Sequence, residues 1–480
     1  MARAVVIGGG LAGLTGALLL REQGFETIVL EQHQSIAPLI RGFRRDGLTF
    51  ETGFHYAGGL SEGGILHHYL TRLGLLAEDL ETEDLANIGG ETLRFPGGDD
   101  LLIPEHFEEY RQIFPTGSHI DGFFADSISV LQSSPYLDKK VENFDFAALY
   151  SQGESLAGKL APLSLTPRQK CALGFRHLLY GVKPVEAAFK EFALLNTPYL
   201  NGIQRFHGGG EALAKAFASA LAKAGAVVIN KARVVKINTD EQNKVRSVEY
   251  VDGGGEKNEA ECQTCLFTAS PAALPSLLPA DSLRPVLARR LASYRETSAP
   301  FMLFAAAKTD IFEGRQIFLL PDENMDSWLS SDKPVIYISG GHVENRRCPL
   351  SIISTLPESS TALWAESRFG HRPQAYLQFK HDYAEKLKKI ILSRCPELNG
   401  ELEISGAATD LTLKHYTMTP RGGIYGKLHS LNEAPILPLT RVGGLALAGQ
   451  NIIMPGLMGA MVSAFVAVGS LIGPEKLRIF

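Results

Sequence analysis

Val5-Val6-Ile7-Gly8-Gly9-Gly10-Leu11-Ala12-Gly13 opens a pattern that closes at Ile28-Val29-Leu30-Glu31. An apolar run leads into glycines, a helical pattern follows from about Leu11 to Gln23, Gly24 stands where a helix C-cap would, and a second apolar run ends in an acid. A strand, a tight turn and a helix in this order form the pyrophosphate-binding unit of a dinucleotide site. Gly8 suits the turn, Gly10 the close approach of a phosphate, and Gly13 the packing of helix on strand. Leu11 and Ala12 begin the helix whose N-terminus would face the anion, and Glu31, with Gln32 beside it, is placed to accept from a ribose hydroxyl.

The 480 residues exceed what one hydrophobic core usually serves, so two domains are expected. Charge is nearly balanced, with 52 acidic and 47 basic residues, and no basic run gives a nucleic-acid footprint. Five cysteines make no disulfide framework and fit a reducing compartment. Cys262-x-x-Cys265 lies in an alternating strand with no second pair nearby, so no metal is expected. No charged leader with an apolar core precedes the glycine loop, so a signal peptide is not expected. Val442 to Pro474 carries no charge. Gln450, Asn451 and Pro455 divide it into a strand at Leu445 to Ala448 and a helix from about Gly456, slightly short for a bilayer, which reads as core.

Further along, Gly42 to Tyr56 contains two extended pieces about a turn at Asp46-Gly47, Ser61 to Leu200 reads as mostly helical, and His207-Gly208-Gly209-Gly210 opens a helix reaching about Lys223. Strands follow at Val227 to Ile229, Val234 to Ile237 and Val245 to Val251. Beyond Pro271, alternation at Phe301 to Ala306, Val335 to Ser339 and Ser351 to Thr355 suggests a sheet, and Tyr376 to Cys395 an amphipathic helix. The expected class is α/β: a Rossmann-like domain from 1–60, 201–270 and 411–480, with a mixed-sheet and helical second domain from 61–200 and 271–410. Arg168 to Lys183, with Lys170, Arg176 and His177 among leucines, has the composition of a segment lying on a membrane, and equally of a solvated face over a core.

Four blocks resemble the FAD-dependent phytoene desaturase, carotenoid isomerase and retinol saturase family, within the wider flavin amine oxidase-like class. They are Val5 to Glu31; Gly47 to Gly58; His207 to Ile237; and Pro420-Arg421-Gly422-Gly423-Ile424-Tyr425-Gly426 with Leu445 to Asn451 and the last helix. The resemblance implies FAD, with main-chain contacts from Val235 to adenine and Gly449-Gln450-Asn451 near the ribityl chain. Physical chemistry points the same way at Pro455-Gly456, where the free N–H groups of Leu457, Met458 and Gly459 would face a buried acceptor. Where the family usually carries a Gly-Gly pair after the ribose-binding acid, this chain has Ala37-Pro38-Leu39-Ile40-Arg41. Arg41 stands over the pyrophosphate in one reading and is a loop arginine in the other.

The resemblance implies flavin N5 hydride chemistry on a hydrophobic polyene or isoprenoid-like substrate, as desaturation, saturation or isomerisation. His55, Tyr56 and Tyr425 are the candidates beside flavin or substrate, because a saturase needs a proton donor. A flavin oxidase of amines or other small molecules, and a non-enzymatic protein that kept the fold, remain open. A single glycine fingerprint leaves the electron donor or acceptor unnamed. The expected location is cytoplasmic, with peripheral contact to the inner face of a membrane.

Overall fold

A computed structural model describes residues 2–77, 80–85, 89–97, 100–134, 136–137, 153–308, 310–329, 333–357 and 359–477. The opening motif forms strand Arg3–Ile7, helix Leu11–Glu22 and strand Glu26–Leu30. These strands sit in a five-stranded parallel sheet in the order Val227–Ile229, Glu26–Leu30, Arg3–Ile7, Thr264–Phe267, Leu445–Leu447. Near-continuous apolar strands are what a parallel sheet covered on both faces requires. Gly24 ends the first helix in the left-handed region, φ 82°, with its N–H on the Arg21 carbonyl at 2.9 Å. The uncharged C-terminal helix, Gly456–Ile472, packs on the first helix and is buried over most of its length. Among the described residues no helix is long and apolar enough to cross a membrane.

A seven-stranded mixed sheet runs in the order Glu403–Thr409, Pro300–Ala307, Cys348–Thr355, Ile336–Gly340, Gln316–Leu319, Glu91–Arg94, Asp100–Ile103. Its period-two alternation separates two cores. Ile317, Leu319, Ile336 and Ile338 face Ala384, Leu387 and Ile391 of the long helix Gln374–Arg394. Phe318 and Tyr337 face the other way, toward a helical cap containing Phe123, Phe175, Phe192 and Trp328.

Two readings need correction. The span from Ser61 to Leu200 also contains strands Thr82–Asp84, Glu91–Arg94 and Asp100–Ile103, and the last two extend the large sheet. Glu91–Arg94 is buried on both faces although it begins and ends in charge, because each end is ion-paired internally; its polarity hides it from a hydropathy pattern. The Arg168 to Lys183 segment is no amphipathic surface. Helix Pro167–Gly174 and the 3-10 turn Phe175–Tyr180 bury Arg176 and His177, and the His177 imidazole bonds the Val182 carbonyl at 2.7 Å. Desolvation holds that imidazole down at about 4, hence neutral.

Candidate functional site

One continuous cavity of about 1540 Å³ runs from the carboxyl ends of the parallel strands to the inner face of the large sheet. Ligands of open parallel sheets bind at those strand ends. The three motif glycines have three different surroundings. Gly8 has φ 106°, and a Cβ there would come 2.7 Å from Thr268 Oγ1. A Cβ on Gly13 would come 2.0 Å from the Gly8 carbonyl oxygen, so this glycine lets helix touch strand. A Cβ on Gly10 would meet no protein atom within 4 Å, because Gly10 borders the cavity. The helix it starts has no side-chain cap, which leaves backbone N–H groups available to a ligand. Leu11 and Ala12 line the cavity beside it.

Glu31 is buried, with its carboxylate accepting from Gly9 N–H at 2.6 Å and His33 N–H at 2.8 Å. Glu31 and Gln32 both line the cavity. Val235 sits at a bulge between the paired residues Val234 and Lys236, which takes its main chain out of the ladder; Arg233 and Val234, rather than Val235, border the cavity. Gly449, Gln450 and Asn451 line it too, with Gly449 at φ 121° and its N–H on Ser463 Oγ at 2.7 Å. The C-terminal helix begins at Pro455 without a side-chain cap. Leu457 and Met458 border the cavity there, whereas Gly459 lies against the Met454 carbonyl, 2.0 Å from where a Cβ would be. Two uncapped helix N-termini, one buried carboxylate and a glycine facing open space form a donor and acceptor set that fits a dinucleotide carrying a flavin.

In the loop after Glu31, Ala37 takes the left-handed conformation, φ 52°, with its N–H on Gly9 O at 2.7 Å. A non-glycine residue there costs on the order of 1 kcal/mol, and the loop keeps its path along the cavity at that expense. Arg41 lines the cavity but is engaged: its guanidinium grips Glu211 through two bonds of 2.7 and 2.6 Å.

At the far end the sequence-derived trio meets in the cavity wall. Both ring nitrogens of His55 are buried without a hydrogen-bond partner, and the ring stands edge-on to Tyr337 at 5.6 Å. Desolvation pushes its pKa down to about 4, so it is neutral at pH 7. Tyr56 donates to Glu91 Oε1 at 2.6 Å, and burial raises its pKa well above the usual phenol value. Tyr425 is raised by burial as well. Sequence reasoning missed their neighbours. Arg176 forms a buried ion pair with Glu91, donates to Asn196 Oδ1 at 3.1 Å, and lies over the Tyr199 ring at 5.1 Å. No motif carries these residues, and Arg176 sits in the segment whose composition suited a membrane face or a solvated face over a core.

Behind the Gly449–Asn451 turn lies a second polar group. Asn451 Oδ1 accepts from Lys427 N–H at 2.7 Å, and His429 Nε2 bonds the Gln450 carbonyl at 2.7 Å. Glu191 approaches His429 Nδ1 at 3.5 Å. Burial raises the Glu191 carboxyl to about 8, against the opposing pull of Lys427. A carboxyl whose folded pKa exceeds its unfolded value contributes stability that is full below about 4.5 and fades as pH rises toward 8. Glu191→Gln, which mimics the protonated form, is therefore expected to match wild type in thermal stability at pH 5 and exceed it at pH 8.5. An equal loss in both proteins would overturn this assignment. Among the described residues no cluster suited to a metal occurs, and Cys262 and Cys265 are buried with raised pKa values.

Comparison with known proteins agrees with this geometry. Residues 11–343 match the family model described as flavin containing amine oxidoreductase. All-trans-retinol 13,14-reductase of Homo sapiens is 24% identical over 98% of this chain and 85% of its own length. An inactive all-trans-retinol 13,14-reductase of Danio rerio is 23% identical over 97% and 85%. In fold, the chain is similar to an oxidoreductase from Methanosarcina mazei (TM-score 0.65, 14% identity, 96% of this chain and 98% of that one). It is also similar to putrescine oxidase bound to putrescine (TM-score 0.62, 15% identity, 98% and 99%). The chain belongs to the flavin containing amine oxidoreductase family and is an FAD-dependent oxidoreductase.

Proposed function

We propose that the protein changes the oxidation level or geometry of a carbon–carbon double bond in an elongated apolar polyene, with FAD held by the residues around Gly10, Glu31 and Leu457. The observation that carries this reading is the character of the cavity beyond the nucleotide end. Beside the tyrosines and the internally paired Arg176, its walls include Leu178, Leu179, Phe318, Leu329, Val335 and Ile353, so it offers a broad apolar surface. The likeness to all-trans-retinol 13,14-reductases supports the same substrate class.

FAD, when bound, supplies or accepts the hydride. The chain's own residues position the polyene and handle the proton. Tyr425 stays protonated throughout the working pH range and can donate; Tyr56, also protonated, has its hydroxyl proton on Glu91 and positions the wall; His55, uncharged and unpartnered, can accept or relay. Burial excludes water, and conjugation spreads the developing charge, so no strong acid–base pair is required.

The amine oxidase reading draws on the tyrosine-rich wall, where an ammonium would favour aromatic faces. Arg176 opposes it, since its guanidinium already covers the Tyr199 ring and lines the same space. The deciding experiment is anaerobic reduction or reoxidation of the flavin by a panel of polyenes, retinoids and amines. Spectral change with the apolar polyenes and none with amines is expected, and the opposite pattern would overturn the proposal. In the same assay His55→Phe is expected to retain FAD and slow turnover by about 10²-fold, the lower end of what a positioned proton-transfer group contributes.

A further inference from the structure

The turn formed by Gly449, Gln450 and Asn451 lines the cavity and is tied from behind at three points. Gly449 N–H donates to Ser463 Oγ, Lys427 N–H donates to Asn451 Oδ1, and His429 Nε2 meets the Gln450 carbonyl, each at 2.7 Å. In the first two the donor is a backbone N–H, which can only donate. The third depends on where a proton sits, because an imidazole nitrogen donates or accepts according to its tautomer. A carbonyl only accepts, so this tie exists only while Nε2 carries the ring proton, and in the neutral ring Nδ1 is then a bare lone pair. None of Lys427, His429 and Glu191 borders the cavity, so they reach a ligand there only through the turn.

Glu191 faces that lone pair. Helix Phe189–Asn196 brings its Oε1 to 3.5 Å from His429 Nδ1, buried and without a hydrogen bond among the described residues. Burial, with Lys427 beside it, pushes the His429 ring down to about 3, so the ring is neutral, and burial raises the Glu191 carboxyl to about 8. At neutral pH the carboxyl keeps its proton, and its O–H can answer Nδ1. Once ionised, the carboxylate confronts the Nδ1 lone pair, and two acceptors so placed repel. A second ring proton is opposed by Lys427, a cation already in the same space. The remaining answer is for the ring proton to sit on Nδ1 instead of Nε2, which relieves the repulsion and strips the Gln450 carbonyl of its donor. The surrounding groups do not forestall this. Lys427 attracts Glu191 but forms no ion pair among the described residues, its Nζ donating to the Leu428 carbonyl at 3.1 Å. Tyr180, whose phenol Glu191 helps to raise, keeps its own proton. Arg290 donates to the Pro435 carbonyl at 3.3 Å and repels Lys427, while Glu186 and Glu433 are engaged by Arg295.

We propose, on the reading that this turn borders the flavin, that His429 is a positioning residue holding the turn in place for FAD, and that Glu191 governs the hold by deciding which ring nitrogen carries the proton. The protons balance: Glu191 releases one to solvent, the ring gives up the proton on Nε2 and takes one on Nδ1, and the ring's charge is unchanged. While Glu191 is protonated the turn is held at all three points. Once it is ionised the Gln450 carbonyl is buried without a donor, and the turn leaves the shape that receives FAD. The hold is therefore full below about 8 and lost above it.

The test uses the full chain, without FAD and loaded with it, and two readouts on either side of the Glu191 transition: the tautomer of His429 by nitrogen NMR of isotopically labelled histidine, and FAD affinity by flavin fluorescence quenching. Wild type is expected to carry the proton on Nε2 below the transition and on Nδ1 above it. Its FAD affinity should fall by about tenfold across the same step, as a buried carbonyl left without a donor requires. Glu191→Gln, whose amide N–H donates to Nδ1 at every pH, should keep the proton on Nε2 and the stronger affinity throughout. His429→Phe should bind FAD with the weaker affinity on both sides. The His429 resonance is recognised by its loss in that variant or, where the variant does not fold, by its response to Glu191→Gln, which then decides alone. A tautomer that ignores pH, or an affinity that falls in Glu191→Gln as it does in wild type, would overturn the proposal. Wild type that takes up no FAD at either pH would overturn the flavin site itself, whereas wild type that binds FAD equally at both overturns only the role given to Glu191 and His429.

Discussion

Arg176→Met is expected to destabilise the protein by about 3–5 kcal/mol, because it strands the Glu91 carboxylate in the interior with only the Tyr56 hydroxyl to answer it. Glu91→Leu should cost a similar amount by stranding the guanidinium, whose remaining hydrogen-bond partner is Asn196, with the Phe175 and Tyr199 rings beside it. Removing both charges together is a different experiment. The double variant leaves no unpaired buried ion, and apolar side chains of similar volume often replace a buried pair without loss. Its stability is expected to return to within about 1–2 kcal/mol of wild type, a coupling well outside the additive range. Thermal unfolding of the four proteins measures it, and the single variants should each melt roughly 3–5 °C early. Two small, additive losses would show that the pair is not the buried, mutually dependent unit described above. Flavin content should remain normal in the double variant while turnover falls, since Tyr56 then loses the acceptor that orients its hydroxyl.

That pair also marks the limit of what can be read from the chain. The glycine fingerprint, the acid at Glu31, the long helix at Gln374–Arg394 and the uncharged terminal helix announce themselves because apolar periodicity and glycine placement are local signals. Glu91 and Arg176 gave no such signal. They are 85 positions apart, each looks like a surface residue among its neighbours, and only the fold reveals that one neutralises the other. The same compensation misleads at Arg168 to Lys183, where cations among leucines imitate an amphipathic surface while Arg176 is in fact satisfied internally.

Gly10→Ala and Gly13→Ala should separate two roles that the fingerprint makes look alike. At Gly10 the backbone is extended, φ −76° and ψ 175°, which alanine adopts freely, and the new methyl would meet no protein atom within 4 Å. The apoprotein should therefore fold with unchanged thermal stability. The methyl nevertheless enters the space that a pyrophosphate must occupy to reach the first N–H groups of helix Leu11–Glu22, so FAD affinity is expected to fall by about 10²-fold or more, about 3 kcal/mol. At Gly13 the methyl would lie 2.0 Å from the Gly8 carbonyl oxygen and 2.9 Å from Thr268 Oγ1. Backbone cannot yield there without lifting the helix from the strand, so Gly13→Ala should lower apoprotein stability by several kcal/mol and lose FAD as a consequence. Titration of each apoprotein with FAD, followed by flavin fluorescence quenching and by melting temperature, distinguishes the two. Normal FAD binding by Gly10→Ala would mean that no phosphate approaches this turn. Equal apoprotein destabilisation in both variants would mean that Gly10, like Gly13, serves packing alone.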